Sequence, residues 1–246
     1  MGLFDFFGGG TPAEKALKLK SKLTQKYGDP TTRQKAIEQL GDMRSPDAIP
    51  VLMHRFTFMV DPQTTDADEK ATVFELICEL QADAAPPVVE FLTKSDAASS
   101  WALKILTAVL PEPEVIGIVT GELQRLGAEY TRDPEKKEVL IHSLFGKADA
   151  RVGPAVQPFL HDMSDDVKLA AIKTLASITF EPAREDLLAL LVAEDTAKRV
   201  QTACVAALTE AGFGVQGFRE KVEGRLPPGH FIDKSGVIKK RGAERG

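Results

Sequence analysis

One pattern limits the fold of this chain more than any other: a helix-opening motif that recurs along most of its length. Each copy begins with Ser or Asp, in two copies followed by Pro, and apolar residues then follow at helical spacing. Ser and Asp cap the free amides of a helix start, and Pro at the first helical position costs no hydrogen bond. The openings are 29 to 38 residues apart and lie at Asp29, Asp66, Ser95, Asp133, Ser164 and Asp195. This spacing predicts six helical hairpins.

The apolar residues of these copies indicate how the hairpins are arranged. Three copies carry an apolar stripe at the same offsets, formed by Ala36, Ile37 and Leu40, by Leu140, Ile141 and Leu144, and by Ala171, Ile172 and Leu175. A single hairpin cannot bury two such stripes, whereas stacked hairpins bury them in one continuous core. The sequence therefore predicts an all-α fold, an α-α superhelix of about six helical hairpins.

Breaks in the pattern divide the chain into four predicted segments. Gly8 to Gly10 separate an apolar start from a lysine-rich helix, and Pro227-Pro228-Gly229 ends the last helix. The residues after this break alternate around an Asp-Lys-Ser-Gly turn, which is typical of a short β-hairpin. The predicted segments are an apolar N-terminal arm (1–10), a basic N-terminal cap helix (11–28), the repeat solenoid (29–226), and a C-terminal hairpin with a basic tail (227–246).

Two strings in the first copy resemble a known repeat. Asp29 to Gly41 read Asp-Pro-x-x-Arg-x-x-Ala-Ile-x-x-Leu-Gly, and Ser45 to Leu52 read Ser-Pro-Asp-Ala-Ile-Pro-x-Leu. Both resemble the HEAT-repeat family, particularly its short bacterial form, the PBS-lyase-like HEAT repeats, and the likeness extends over roughly residues 29–210. The resemblance implies a HEAT-like solenoid whose second helices line a concave binding surface.

The charge distribution disfavours a nucleic acid as the partner. The chain has a net charge of −5, but residues 1–27 carry five Lys and two acids, and residues 219–246 carry eight cationic residues and four acids. The segment 28–218 therefore carries −12. DNA affinity depends chiefly on neutralising phosphates, which an acidic body repels.

Several features predict a cytoplasmic protein. No stretch of 18 apolar residues occurs, and Met1 to Gly10 lack the basic region and cleavage site of a secretory signal. Cys78 and Cys204 lie far apart within helical patterns, as expected of buried thiols in a reducing compartment.

Catalytic and cofactor motifs are missing from the sequence. It contains no nucleophile elbow, no His-Glu-x-x-His, no Walker-type loop and no dinucleotide fingerprint. The four histidines are scattered, and Asp66 to Glu69 lack the Gly and the final Glu of a calcium loop. We therefore expect no metal and no other cofactor. Trp101 lies beside the core positions Ala102 and Leu103, which favours packing over stacking on a nucleic acid base.

The N-terminal arm is the segment that we expect to recruit a partner, because a short arm cannot bury so many large apolar side chains by itself. Two interpretations remain open: the arm packs on the first hairpin as a cap, or it is a detachable anchor for a protein groove or an anionic membrane surface. The predicted partner-binding residues are Leu3, Phe4, Phe6, Phe7, Arg55 and Phe58.

Together these observations favour a non-enzymatic adaptor that binds a protein or peptide on its concave face. Two other classes remain open. One is a HEAT-like enzyme or enzyme subunit, either a DNA glycosylase or a chaperone of the bilin-lyase type. The other is a peripheral membrane adaptor that uses residues 1–27.

Overall fold

The computed structural model describes residues 10–241, and the predicted all-α fold is confirmed. Helices make up 67% of the described residues, whereas strand is confined to one short hairpin. The chain divides into two compact units, residues 1–115 and 116–246. Within residues 10–241, no helix combines the length and the apolar character needed to cross a bilayer.

The α-helices alternate as the first and second arms of successive hairpins, preceded by one extra helix, α1. They are α1 (Pro12–Leu23), α2 (Pro30–Asp42), α3 (Ile49–Leu52), α4 (Gln63–Cys78), α5 (Ala85–Lys94), α6 (Ser99–Val109), α7 (Glu112–Leu126), α8 (Glu135–Ser143), α9 (Val152–Val156), α10 (Asp165–Ser177), α11 (Arg184–Val192), α12 (Lys198–Ala211) and α13 (Arg219–Glu223). Short 3-10 helices lengthen several second arms, at Pro46–Ala48, Met53–Thr57, Gln81–Ala84, Gln157–His161 and Glu181–Ala183.

Side-chain caps begin three of the α-helices, and two of these caps, Asp29 and Ser164, are predicted ones. Thr11 and Glu14 form a reciprocal capping box at the start of α1. The Asp29 carboxylate accepts a hydrogen bond from the Thr31 amide at 2.9 Å, and the Ser164 hydroxyl accepts one from the Val167 amide at 3.5 Å. These bonds satisfy amides that the first turn of a helix leaves without a backbone partner.

Three predicted openings lie elsewhere. Helix α12 begins at Lys198, three residues after Asp195, and Asp195 does not cap it. The second hairpin begins at Gln63 rather than at Asp66, which places Asp66 in the first turn of α4 with its carboxylate buried. The third begins at Ser99 rather than at Ser95, after Ala98 in the left-handed conformation. In the second and third hairpins, a Ser or Asp that looks like a cap in the sequence has another structural role.

The predicted apolar stripes form the core. In unit 1, α2 packs against α1 and α4, and its stripe of Ala36, Ile37 and Leu40 is at most 2% exposed. In unit 2, α10 packs between α8 and α12, and its residues Ala171, Ile172 and Leu175 are equally buried. The helical period and the offsets read from the sequence are thus confirmed.

A two-stranded antiparallel hairpin follows α13. Strand β1 (His230–Ile232) pairs with β2 (Ile238–Lys240), with Ile232 opposite Ile238. The Asp233 carboxylate accepts hydrogen bonds from the amides of Ser235 and Val237, and these bonds close the turn. Because β2 packs on α12 and Ile238 is fully buried, the hairpin covers the end of unit 2. The predicted C-terminal hairpin is confirmed.

The two thiols should differ in reactivity. Cys204 is fully buried, and burial raises its pKa to about 12, so the reactive thiolate is scarce near neutral pH. Burial also raises the pKa of the half-buried Cys78, although Lys104 opposes the rise. We expect Ellman's reagent to label Cys78 slowly in the native protein and Cys204 only after unfolding. In Cys78→Ser, rapid native labelling of the remaining thiol would contradict this placement of Cys204.

Candidate functional site

Four charged side chains form a buried cluster between the first two hairpins of unit 1. The Glu69 carboxylate forms ion pairs with two guanidinium groups, that of Arg33 at 3.1 Å and that of Arg55 at 2.6 Å. Arg55 also donates to Asp66 at 2.8 Å. Since all four side chains are nearly inaccessible to water, each charge depends on these partners rather than on hydration.

The cluster also holds the loop that precedes α2. Arg33 donates to the carbonyl oxygens of Gln25 at 2.9 Å and of Gly28 at 3.3 Å. Burial disfavours the ionised form of Asp66, but bonds from Lys70, Arg55 and the Val60 amide outweigh burial and lower its pKa. The carboxylate is therefore charged at neutral pH, and one network joins α2, α4 and two loops.

The structure places the sequence-predicted site residues in different environments. The Arg55 side chain is 0% exposed, lies over the Phe58 ring at 4.8 Å and donates to the Phe58 carbonyl oxygen at 3.2 Å. Phe58 is half-buried. Arg55 thus positions Phe58 and lies out of a partner's direct reach, and partner binding by this pair stays a prediction. The other four predicted residues, Leu3, Phe4, Phe6 and Phe7, lie outside the described residues.

In unit 2, the repeat position that corresponds to Arg33 also holds a buried cation. Lys137 follows Asp133 by the same interval that separates Arg33 from Asp29. Its ammonium group donates to the Asp162 carboxylate at 2.8 Å and to the carbonyl oxygen of Glu129, in the loop before α8. In these two repeats the cation therefore ties a preceding loop to a buried carboxylate, a role that the sequence pattern alone did not reveal.

A groove of about 350 Å³ lies on the second helices of the first two hairpins. We call it the α3–α5 groove. The two hairpins line the groove with residues at equivalent repeat positions. Pro50 precedes Pro87 by 37 positions, and His54 precedes Phe91 by the same number. Residues four apart share one face of a helix, so the two pairs face the same groove. Its rim is formed by Glu90, Lys94 and Ser95.

His54 gives the groove its distinctive chemistry. The imidazole meets the Phe91 ring edge-on, with ring centres 5.9 Å apart and planes at 85°. Burial, assisted by the nearby Lys20 ammonium, lowers the pKa of His54 from its usual 6.5. At neutral pH the ring is uncharged and offers one hydrogen-bond donor and one acceptor. The groove thus combines apolar faces, a neutral imidazole and adjacent cations.

Two other clefts of unit 1 differ in chemistry. One, of about 360 Å³, lies between α2 and α4, and hydroxyl and carboxylate groups dominate its lining, including Glu38, Thr65 and Asp68. The other, of about 240 Å³, lies at the loop edge beside Tyr27 and Met59. Neither contains an imidazole.

Trp101 packs within unit 1, as its sequence neighbours predict. Its indole stacks on the Phe56 ring with centres 4.5 Å apart and planes at 17°, and the Lys104 ammonium lies 4.7 Å from the indole centre. Asp66 and Glu69, part of the segment considered for calcium, are bound by arginines. Within residues 10–241, no three His, Cys, Asp or Glu side chains gather into a possible metal site.

Comparisons with known proteins agree with the repeat architecture. Residues 32–56 match the family described as the PBS lyase HEAT-like repeat. Among solved structures, the chain is similar to human deoxyhypusine hydroxylase in complex with glycerol, at 15% identity and a TM-score of 0.35, over 87% of this chain and 94% of that one. A comparison with curated proteins found no match.

The family match contradicts the prediction of a non-enzymatic adaptor. The matched repeat takes its name from a lyase, and repeats of this family also occur in enzymes. The missing motifs therefore did not justify excluding an enzyme. With a TM-score of 0.35, the likeness to the hydroxylase transfers no substrate, metal or reaction to this chain.

The matched segment runs from the first turn of α2 to the 3-10 helix after α3, and it includes Arg33, Pro50, His54 and Arg55. It therefore contributes one arm of the α3–α5 groove and both arginines of the buried cluster. The later hairpins repeat its stripe and its cation position. The first hairpin of the chain thus matches the PBS lyase HEAT-like repeat, within an array of helical hairpins.

Proposed function

We propose that the chain is an enzyme of the bilin-lyase type, or a subunit of one, and that the α3–α5 groove holds its ligand. The match of residues 32–56 to the PBS lyase HEAT-like repeat carries this proposal, because that segment supplies Pro50 and His54 to the groove. A HEAT-like enzyme or enzyme subunit is the class of protein that the sequence left open beside the adaptor.

The chemistry of the groove suits an open-chain tetrapyrrole. Such a ligand has a flat conjugated body, ring N–H groups and carboxylate side chains. Phe91 and the two prolines offer apolar faces to the body, and the neutral His54 ring can accept a hydrogen bond from a pyrrole N–H. Lys20, beside His54, is a cation that attracts carboxylates, whereas Lys94 in the lining is paired with Glu90.

The partner that we propose is a protein, namely the acceptor that receives the ligand. The groove lies on the surface of the second helices, and its residues Pro50 and Glu90 are exposed, so a bound ligand would stay accessible to such an acceptor. The two free thiols, Cys78 and Cys204, are compatible with a reducing compartment, and we propose that the protein acts in the cytoplasm.

The test is a titration of the full chain with biliverdin, followed by its absorbance. We expect saturable binding that Phe91→Ala weakens about 10-fold or more. Phe91 is half-buried in the free protein. Burying the rest of a Phe ring under a ligand contributes up to about 1.5–3 kcal/mol, and each 1.4 kcal/mol is a factor of ten in affinity. His54→Ala should weaken binding as well, through loss of its hydrogen bond.

The matched control is Phe145→Ala, which removes a 56% exposed Phe ring from unit 2. Its affinity for biliverdin should equal that of the wild type. Circular dichroism of each variant checks that the fold is retained. No saturable binding, or the same loss in both variants, would refute a bilin site in the groove.

A further inference from the structure

We propose that residues 1–9, which we call the N-terminal peptide, bind in the α3–α5 groove of their own chain and compete with its ligand. The sequence left open whether this peptide packs on the first hairpin or anchors the protein elsewhere. The position of the groove relative to α1 favours a specific intramolecular site.

Helix α1 leads from the N-terminal peptide to the groove. It packs against α3, which supplies Pro50 and the turn before His54. Lys20, in the last part of α1, is close enough to His54 to lower its pKa together with burial. One side of α1 therefore lies beside the groove.

The N-terminal peptide is long enough to reach it. From Pro12 to Lys20 the helix advances about 12 Å, at 1.5 Å per residue. An extended chain covers about 3.3–3.6 Å per residue, so the four residues from Thr11 back to Phe7 span about 13–14 Å. Phe7 can thus lie level with Lys20, and Phe4 and Phe6 can lie within the groove.

The chemistry of the peptide fits this groove better than the other two clefts of unit 1. Leu3, Phe4, Phe6 and Phe7 are apolar, and the single charged side chain, Asp5, is opposite in sign to Lys20. The cleft between α2 and α4 presents the carboxylates of Glu38, Asp68 and Glu69. The α3–α5 groove presents one carboxylate, Glu90, which is paired with Lys94. The cleft beside Tyr27 lies past the far end of α1, beyond Leu23.

The test uses a full-length variant in which Leu3, Phe4, Phe6 and Phe7 are all replaced by Ser, so that the groove is vacated. A labelled synthetic peptide of residues 1–10 is added and followed by fluorescence anisotropy. We expect saturable binding to this variant. Wild-type protein should bind the same peptide at least about 10-fold more weakly, because its own peptide is present at an effective concentration in the millimolar range.

Groove substitutions in the four-serine variant locate the peptide. Adding Phe91→Ser should abolish binding, and adding Pro50→Glu, at an exposed position of α3, should do so while sparing the core. Adding Phe145→Ser in unit 2 is the matched control and should leave the affinity unchanged. Circular dichroism checks the fold of each protein.

Three results would overturn the proposal: no binding to the four-serine variant, equal binding to wild type, or binding that both groove substitutions leave intact. Dimerisation that requires the N-terminal peptide, detected by sedimentation, would instead place it on a second copy. The biliverdin titration decides the proposed function separately, since the peptide assay contains no pigment. If both proposals hold, the four-serine variant should bind biliverdin more tightly than wild type.

Discussion

Replacing Glu69 with Gln should lower the free energy of unfolding of unit 1 by about 3–5 kcal/mol, the cost of removing one partner from a buried ion pair. The guanidinium groups of Arg33 and Arg55 both pair with the Glu69 carboxylate. Neither guanidinium group can reach water when the charge at position 69 is removed. Arg55 would keep Asp66, but Arg33 would keep only carbonyl oxygens. The loop before α2, which Arg33 holds, should become less ordered as well.

The loss can be measured in unit 1 by itself. Trp101 is the single Trp of the chain, so urea unfolding followed by its fluorescence reports on unit 1. The control is Glu90→Gln, which breaks an exposed ion pair with Lys94 and should cost at most about 0.5 kcal/mol. Equal losses in the two variants would show that the buried cluster contributes little.

A second large effect is expected in the core of unit 2. Ile172 is 1% exposed, on a helix that packs between α8 and α12. Ile172→Ala should cost about 2–5 kcal/mol, because it removes buried methyl groups and leaves a cavity. Since hairpins in a repeat array couple mainly to their neighbours, the circular dichroism transition should move or split more than the Trp101 fluorescence transition.

Lys173→Ala supplies the control for Ile172→Ala, because Lys173 is an exposed neighbour on the same helix. We expect it to change the free energy of unfolding by less than about 0.5 kcal/mol. A cost below about 1 kcal/mol for Ile172→Ala would mean that the helical stripe has been assigned to the wrong face.

The sequence predicted the hairpins well because their signals are local. Caps such as Asp29 and Ser164, and stripes at helical spacing, depend on residues within one or two turns of each other. The start of α4 was misplaced because Asp66 looks like a cap, whereas its carboxylate is used by Arg55 of the preceding hairpin. Such a contact depends on the tertiary structure and leaves no local pattern.

The candidate site was less predictable for the same reason. His54 and Phe91 lie on different hairpins, and the sequence did not indicate that they meet. Their 37-residue spacing is a signal that an alignment of the second helices could have used. Arg55 was predicted to bind a partner, whereas its side chain is buried and paired with Glu69 and Asp66. The prediction of a non-enzymatic protein relied on absent motifs, which are weak evidence about activity.

The buried cluster has a consequence for the order of the hairpins. Repeat proteins are often treated as strings of interchangeable modules, but Arg33 and Arg55 require the carboxylates that α4 presents. Deleting the second hairpin would bring α6 into the place of α4, and α6 contains no acidic residue between Ser99 and Val109. Two cations would then be sealed in the junction without counter-ions. The first hairpin thus recognises the second by charge, and the array cannot be shortened or shuffled at this junction by simple excision.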